Sequence, residues 1–311
     1  MSNLLKDKFK GTLFGQAIGD ALGLGTEFMT KAEVKRYYPD GLADYSQIVQ
    51  DCHRARWRKG DWTDDTDMTM CIVQAIIDDR ELRPLSVARN FKQWFRHVPM
   101  GIGRHTCNVL SIGDYTEKPE MVAEKVWEMS GKRSAANGGV MRTSVIGLLG
   151  ENVEKYAAEI CRLTHADPRC VGSCAIVSLM VHSLVYKDEI LPIETLVKIG
   201  NRYDKRIEPY LRMSWENSLD ALVLDDESTM GYTLKTMSAG LWSLYHCSSF
   251  EDGLLAVANA GGDADTNGAV AGSLLGARFG YENIPERFIK GLARGNVLEE
   301  KAESLLSVLR N

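Results

Sequence analysis

The stretch "NAGGDADTNGAVAGSLLGA", residues 259–277, decides the reading of this chain. From Ala264 onward its side chains are small or apolar with a single acid, the composition of a segment buried on every side. Gly268, Gly272 and Gly276 fall four apart, which aligns them on one helix face. Asp263 and Asp265 stand at the mouth of this run. A carboxylate carried into such surroundings needs a partner or a metal ion beside it.

The same glycine spacing recurs near the start of the chain. In "GTLFGQAIGDALGLGTEF", residues 11–28, Gly11, Gly15 and Gly19 again fall four apart. Each glycine inside a helix costs roughly 1 kcal/mol relative to alanine, so six of them require a return. Two faces stripped of side chains let their helices approach closely and bring the acids at their ends to one point. Asp20 closes the first helix or holds a neighbouring loop, and Glu27 lies just beyond it.

Apolar residues recur at steps of three and four over 4–22, 66–79, 85–97, 121–129, 139–149, 152–164, 170–186, 191–202, 232–246, 250–260, 266–279 and 285–294. Each segment reads as a helix. Alternation of period two is nearly absent, and "SQIVQ" at 46–50 is the best strand candidate. No strand precedes a GxGxxG, and GxxxxGK does not occur. The class expected is all-α, compact and multi-helical, with residues 1–311 as a single domain. The region 30–61 is the most loop-like and carries Arg54, Arg56, Arg58 and Lys59.

The 311 residues are 44% hydrophobic and 25% charged, with a net charge of −5, which does not suit a general binder of nucleic-acid backbones. The N-terminus lacks the layout of a signal peptide, and no uncharged apolar run reaches the ~18 residues of a membrane span. The seven cysteines are scattered without a CxxC, as expected of buried free thiols in a reducing cytoplasm. A cytoplasmic protein that does not engage membranes is therefore expected.

A second acid cluster is "DWTDDTDMTM", residues 61–70, where Asp61, Asp64, Asp65 and Asp67 precede an apolar helix. One residue can cap that helix and the helix dipole favours another acid. Two carboxylates are then left over, and a hard divalent cation with oxygen ligands accounts for them, Thr63 supplying a further oxygen. "DADT" at 263–266 has the same form, and Gly261 and Gly262 give it the freedom to turn. Four acids from two remote segments repel unless cations lie between them, and two-metal sites space their ions roughly 3.5–4 Å apart. Neither cluster contains histidine or cysteine, which favours Mg²⁺ or Mn²⁺.

The segments "GTLFGQAIGDALGLGTEF", "WTDDTDMT", "NGGVMRTSVIGLL", "THADP" and "GGDADTNGAVAGSLLGARFG" occur in the order of the ADP-ribosylglycohydrolase family, which the chain resembles from about residue 8 to about residue 295. The resemblance implies a compact, orthogonal all-α fold and a dinuclear Mg²⁺ or Mn²⁺ centre. By motif its ligands are Thr63, Asp64, Asp65, Asp263, Asp265 and Thr266, with Asp265 bridging both ions. It implies catalytic roles for Glu27, Asp64 and Asp265. It also implies that ADP-ribose meets Glu27, the loop of Gly101, Ile102, Gly103, His105 and Thr106, the segment of Asn137, Gly138, Gly139, Met141 and Arg142, and His165. Read from the residues alone, 101–107 offers unobstructed backbone N–H groups, and 134–142 leads with Asn137, Gly138 and Gly139 into an apolar helix whose N-terminus suits a pyrophosphate.

The reaction so implied is hydrolysis of the glycosidic bond between the terminal ribose of ADP-ribose and an acceptor. It runs through oxocarbenium-like charge on the sugar and releases ADP-ribose. The expected substrate is an ADP-ribosylated protein, arginine-linked foremost, with nucleic-acid-linked ADP-ribose left open. Ala264 and Asn267 depart from the family pattern, as does Gly101, which stands where some members carry an aspartate. The last departure leaves the acceptor unsettled. A catalytically silent ADP-ribose binder or toxin-blocking protein, and a dimetal phosphohydrolase of ADP-ribose derivatives, are the competing readings.

Overall fold

The computed structural model describes residues 2–309. Among them are fifteen α-helices, five short 3₁₀ helices and no β-strand beyond two isolated bridges, Met29 with Gly262 and Ala136 with Tyr232. The all-α expectation holds.

The central feature is the pair formed by the Asn3–Gly23 and Ala264–Phe279 helices, which pack against one another more extensively than any other two elements. Gly11 faces Gly276, Gly15 faces Gly272, Gly19 faces Gly268 and Gly23 faces Ala264, so the two helices run antiparallel. At each level a Cβ added to the glycine would overlap the facing backbone carbonyl. The glycine stripes thus convert lost side chains into backbone approach. The antiparallel arrangement sets the end of the first helix, with Asp20, beside the start of the other, with Asp263 and Asp265.

The Pro168–Lys187, Thr233–His246 and Phe250–Ala258 helices pack around this pair. Pro168–Lys187 has the length and mean hydropathy, 1.5, of a membrane span, and 78% of that window is buried inside the fold. The Asp64–Asp79 helix is bracketed by Pro84–Arg96 and Gly295–Val308. Its N-terminus points to the same place as that of Ala264–Phe279.

Two expected elements differ. Residues 139–149 form two 3₁₀ turns, Val140–Arg142 and Ser144–Leu148, in place of one α-helix. Side chains of the neighbouring Pro168–Lys187 helix tie the segment down: Ser178 donates to Thr143 O, a carbonyl that an α-helical ladder would use, while Tyr186 donates to Leu148 O and the His182 ring meets Gly147 O and Leu149 O, carbonyls at the segment's end. "SQIVQ" likewise contains a 3₁₀ turn, Tyr45–Gln47, and no strand. Helices at Lys31–Tyr37, Arg104–Leu110, Ile207–Glu216 and Gly295–Val308 lie outside the expected segments. All seven cysteines are free; Cys161, Cys170 and Cys174 are buried, while Cys52 is exposed, which departs from the expectation of uniformly buried thiols.

Candidate active site

A cavity of about 1220 Å³ opens where the two helix N-termini meet. Its wall includes Glu27, Thr63, Asp64, Asp65, Asp263, Asp265 and Thr266. Gly101, Ile102, Gly103, His105, Thr106, Asn137, Gly138, Met141 and His165 line it as well. Gly139 and Arg142 do not line it: Gly139 backs onto Cys161 and Cys174, and Arg142 is fully buried behind the wall.

The four acids of residues 61–67 divide into two pairs. Asp61 and Asp67 are held by Arg294, at 2.6 and 2.9 Å, and Asp67 also accepts from the indoles of Trp62 and Trp94. Asp64 and Asp65 have no such cation. Among the described residues no lysine or arginine pairs with Asp20, Asp64, Asp65, Asp263 or Asp265.

Asp20 has a structural task that the sequence reading only half anticipated. Thr63 sits at the N-cap of Asp64–Asp79 but does not cap it with its own side chain. Asp20 does so from another helix, accepting from the backbone N–H of Thr63 and of Thr66 at 2.9 and 3.0 Å and from both hydroxyls at 2.9 and 2.6 Å. Burial still pushes its carboxyl up to about 7, opposed by these bonds.

Two acid triads result. Oxygens of Asp20, Asp65 and Asp265 lie within 4.8 Å of one another, as do oxygens of Glu27, Asp263 and Asp265. Asp265 belongs to both. Burial, then the charges of Asp20 and Glu27, pushes Asp64 up to about 7. Burial, then Glu27, pushes Asp263 up to about 6. Asp65 and Asp265 are driven well above the carboxylate range by burial first and by neighbouring acids second. Such shifts mark anionic sites lacking a counter-charge.

The donor set fits divalent cations on two local observations. Asp65 Oδ1 is buried without a hydrogen-bond partner. The Thr63 hydroxyl has one proton, yet Asp20 Oδ1 and Asp65 Oδ2 lie at 2.9 Å from it and Asp265 Oδ2 at 3.5 Å. Oxygen-only donors, crowded and underprotonated, are the chemistry of a hard cation site. Both triads also stand at helix N-termini, whose dipoles favour negative charge there.

The loop 261–262 aims the second acid pair. Gly261 and Gly262 both have φ of 71°, and Gly262 exchanges backbone hydrogen bonds with the turn after the first helix: its N–H donates to Met29 O at 2.8 Å and its carbonyl accepts from Phe28 N at 2.6 Å. Asn137 donates to Asp263 Oδ2 at 2.6 Å and to Thr236 at 3.0 Å, so it supports an acid directly. Asn267 begins the helix by donating to Asp263 O, and its own Oδ1 is buried unpaired.

Two histidines close the far wall. His105 donates from Nε2 to Thr164 O at 3.0 Å, and Ser134 meets its Nδ1 at 3.0 Å. The Thr164 hydroxyl accepts from Arg142 at 2.7 Å and faces His165 Nδ1 at 2.7 Å, and His165 Nε2 has no partner. Burial, then His105 and Arg142, holds His165 well below the usual imidazole range, so it stays uncharged.

Sequence reasoning missed Asp20 as a cap, and it missed Phe28, His53, Arg56, Trp57 and Met100 on the cavity wall. Phe28 is 56% exposed and held at φ 61°, unusual for a bulky residue. Gly101 lies against Asp64: a Cβ there would stand 2.9 Å from Asp64 Oδ1 and 3.3 Å from Trp57.

The family model described as ADP-ribosylglycohydrolase matches residues 1–311. The ADP-ribosyl-[dinitrogen reductase] glycohydrolase of Rhodospirillum rubrum is 28% identical over 292 residues, covering 92% of this chain and 90% of that protein. The ADP-ribosylarginine hydrolase Tri1 of Serratia proteamaculans (strain 568) is 25% identical over 319 residues, covering 96% and 79%. A solved structure titled "ADP-ribosylglycohydrolase-related protein complex" matches in fold, with a TM-score of 0.74 at 24% identity over 99% of this chain and 100% of that one.

Proposed function

The chain belongs to the ADP-ribosylglycohydrolase family, and from that premise we propose that it hydrolyses the glycosidic bond between the terminal ribose of ADP-ribose and an acceptor, an arginine side chain of a protein foremost, with two divalent cations. The observation that carries this reading is the pair of acid triads sharing Asp265 beside an orphaned Asp65 oxygen.

Thr63, Asp64, Asp65, Asp263, Asp265 and Thr266 would hold the ions, Mg²⁺ or Mn²⁺. Bound there, the ions supply Lewis acidity and ease the deprotonation of water at neutral pH. The chain does the rest. Asn137 holds Asp263 in place, and Asp20 fixes the helix that presents Thr63, Asp64 and Asp65. The broken bond joins the anomeric carbon to the acceptor; the new bond joins that carbon to a water oxygen. One proton leaves the water and one reaches the acceptor. Glu27 is the group placed to carry it, because Oε2 is engaged by His53 and Oε1 has no hydrogen-bond partner among the described residues. His165 offers an uncharged ring to the ligand, which suits a hydroxyl or phosphate contact.

The test is product analysis. Incubation with arginine-, serine- and nucleic-acid-linked ADP-ribose, with and without EDTA, should yield intact ADP-ribose from the arginine-linked substrate and none with the chelator. Release of AMP would support a phosphohydrolase instead. Binding of ADP-ribose without turnover of any substrate would support the silent binder.

A further inference from the structure

Glu27 is restrained by a chain of contacts from a segment that no cavity acid belongs to. Its Oε2 lies 2.6 Å from Nε2 of His53, and the other ring nitrogen, Nδ1, lies 2.6 Å from Nη2 of Arg56. A guanidinium has donors only, so Nδ1 must present its lone pair to Arg56. The ring proton then sits on Nε2 and points at the Glu27 carboxylate. Both neighbours demand the same arrangement: the Glu27 carboxylate can only accept from Nε2, and Arg56 can only donate to Nδ1.

Arg56 is itself anchored. Its Nε donates to His53 O and its Nη1 to Met100 O, both at 3.0 Å, and the guanidinium lies 4.4 Å from the centroid of the Trp57 ring. The imidazole contacts Phe28 at 5.3 Å and Trp57 at 5.5 Å, ring centroid to centroid. Arg54, fully engaged next door, donates to the carbonyls of Leu24, Gly25 and Glu27. Arg54 therefore fixes the main chain around Glu27 while His53 and Arg56 fix its side chain. A purely local brace of the 51–57 segment would not need to end on a carboxylate that also belongs to the Glu27–Asp263–Asp265 triad.

We propose that His53 is a positioning residue for Glu27, its Nε2–H tautomer fixed between Arg56 on one side and the Glu27 carboxylate on the other, so that Oε2 is held and Oε1 is left without a partner among the described residues. The role in turnover rests on the hydrolase reading above; the tautomer does not.

Two measurements test this, and they fail separately. Nitrogen NMR of the full, Mg²⁺-loaded chain with ¹⁵N-labelled histidine should show a protonated Nε2 and a bare Nδ1 at His53. A protonated Nδ1 at His53 in the parent protein would overturn the proposal, whether or not any substrate turns over. In steady-state assays with the preferred ADP-ribosyl substrate, His53→Ala should lower kcat about 10- to 100-fold, as loss of an orienting partner commonly does, with KM changed by less than about threefold. His53→Gln, whose amide can still donate to Glu27, should recover most of that loss. Equal losses in the two variants, or an effect on KM alone, would contradict a positioning role. A parent protein inert on every ADP-ribosyl substrate would sink the hydrolase reading and leave the tautomer to the NMR result.

Discussion

Gly19 and Gly268 face each other backbone to backbone, so that a Cβ built on either would overlap the other's carbonyl. This contact sets the spacing between Asp20 and Asp265, one residue beyond Gly19 and three residues before Gly268. The site is therefore built on the glycine stripe. Alanine for glycine in an exposed helix is worth about 1 kcal/mol in favour of folding. Here the sign should reverse: Gly268→Ala should destabilise by about 1–3 kcal/mol, the range of overpacking in a tight core. The shift of the urea midpoint is the check, and a stabilised Gly268→Ala would show the helices free to separate.

The acid triads make the metal-free protein sensitive to pH. Asp20 and Asp64 are raised to about 7 and Asp263 to about 6, from an ordinary value of 3.8. Between those limits the folded chain binds protons that the unfolded chain has released. Stability in chelator therefore falls as pH rises through that window. On the proposed reading divalent cations take the place of the protons, so Mg²⁺ should stabilise more at pH near 7.5 than near 5. Thermal unfolding in EDTA that is indifferent to pH over this range would contradict the crowding of unpaired acids.

Asp20 should prove structural before it proves chemical. It accepts four hydrogen bonds from Thr63 and Thr66 in a fully buried position. Asp20→Ala leaves those donors unmet and should cost about 2 kcal/mol or more. Asp20→Asn keeps one acceptor oxygen and sheds a repelled charge, so it should cost less. Denaturant unfolding in EDTA separates them; the reverse order would remove Asp20 from its capping role.

Asn137 connects the loop 134–139 to Asp263 at 2.6 Å. Removing a group that orients a metal-facing carboxylate commonly lowers affinity or activity about 10- to 100-fold. Asn137→Ala should therefore weaken Mn²⁺ binding, read by calorimetry, with little change in thermal unfolding of the metal-free chain. Unchanged Mn²⁺ affinity would mean that Asp263 needs no such support.

The sequence disclosed those parts of the fold and site that repeat a spacing or crowd like charges. Gly11, Gly15 and Gly19 matched Gly268, Gly272 and Gly276 because helix contact repeats every four residues. Asp64 with Asp65, and Asp263 with Asp265, stood out because acids rarely precede buried helices without cause. What was hidden depends on partners far apart in the chain. Asp20 caps a helix through Thr63, 43 positions away, and His53 reaches Glu27 across 26. Nothing local marks either. Arg142 looked like a ligand in its motif, but its charge is spent inside the fold on Thr164, Ile160 and the Phe91 ring. The 139–149 stretch has helical periodicity, and the contacts that tie its 3₁₀ turns to Ser178, His182 and Tyr186 of a neighbouring helix leave no local mark.

The most direct measurement is Mn²⁺ binding to the full chain and to Asp265→Asn, by calorimetric titration together with anomalous diffraction. Two ions per chain in the parent, flanking the Asp265 carboxylate, with loss of both from Asp265→Asn, is the outcome expected of a carboxylate shared by two triads. Full Mn²⁺ occupancy in Asp265→Asn, or ions located away from Asp65 and Asp263, would contradict it.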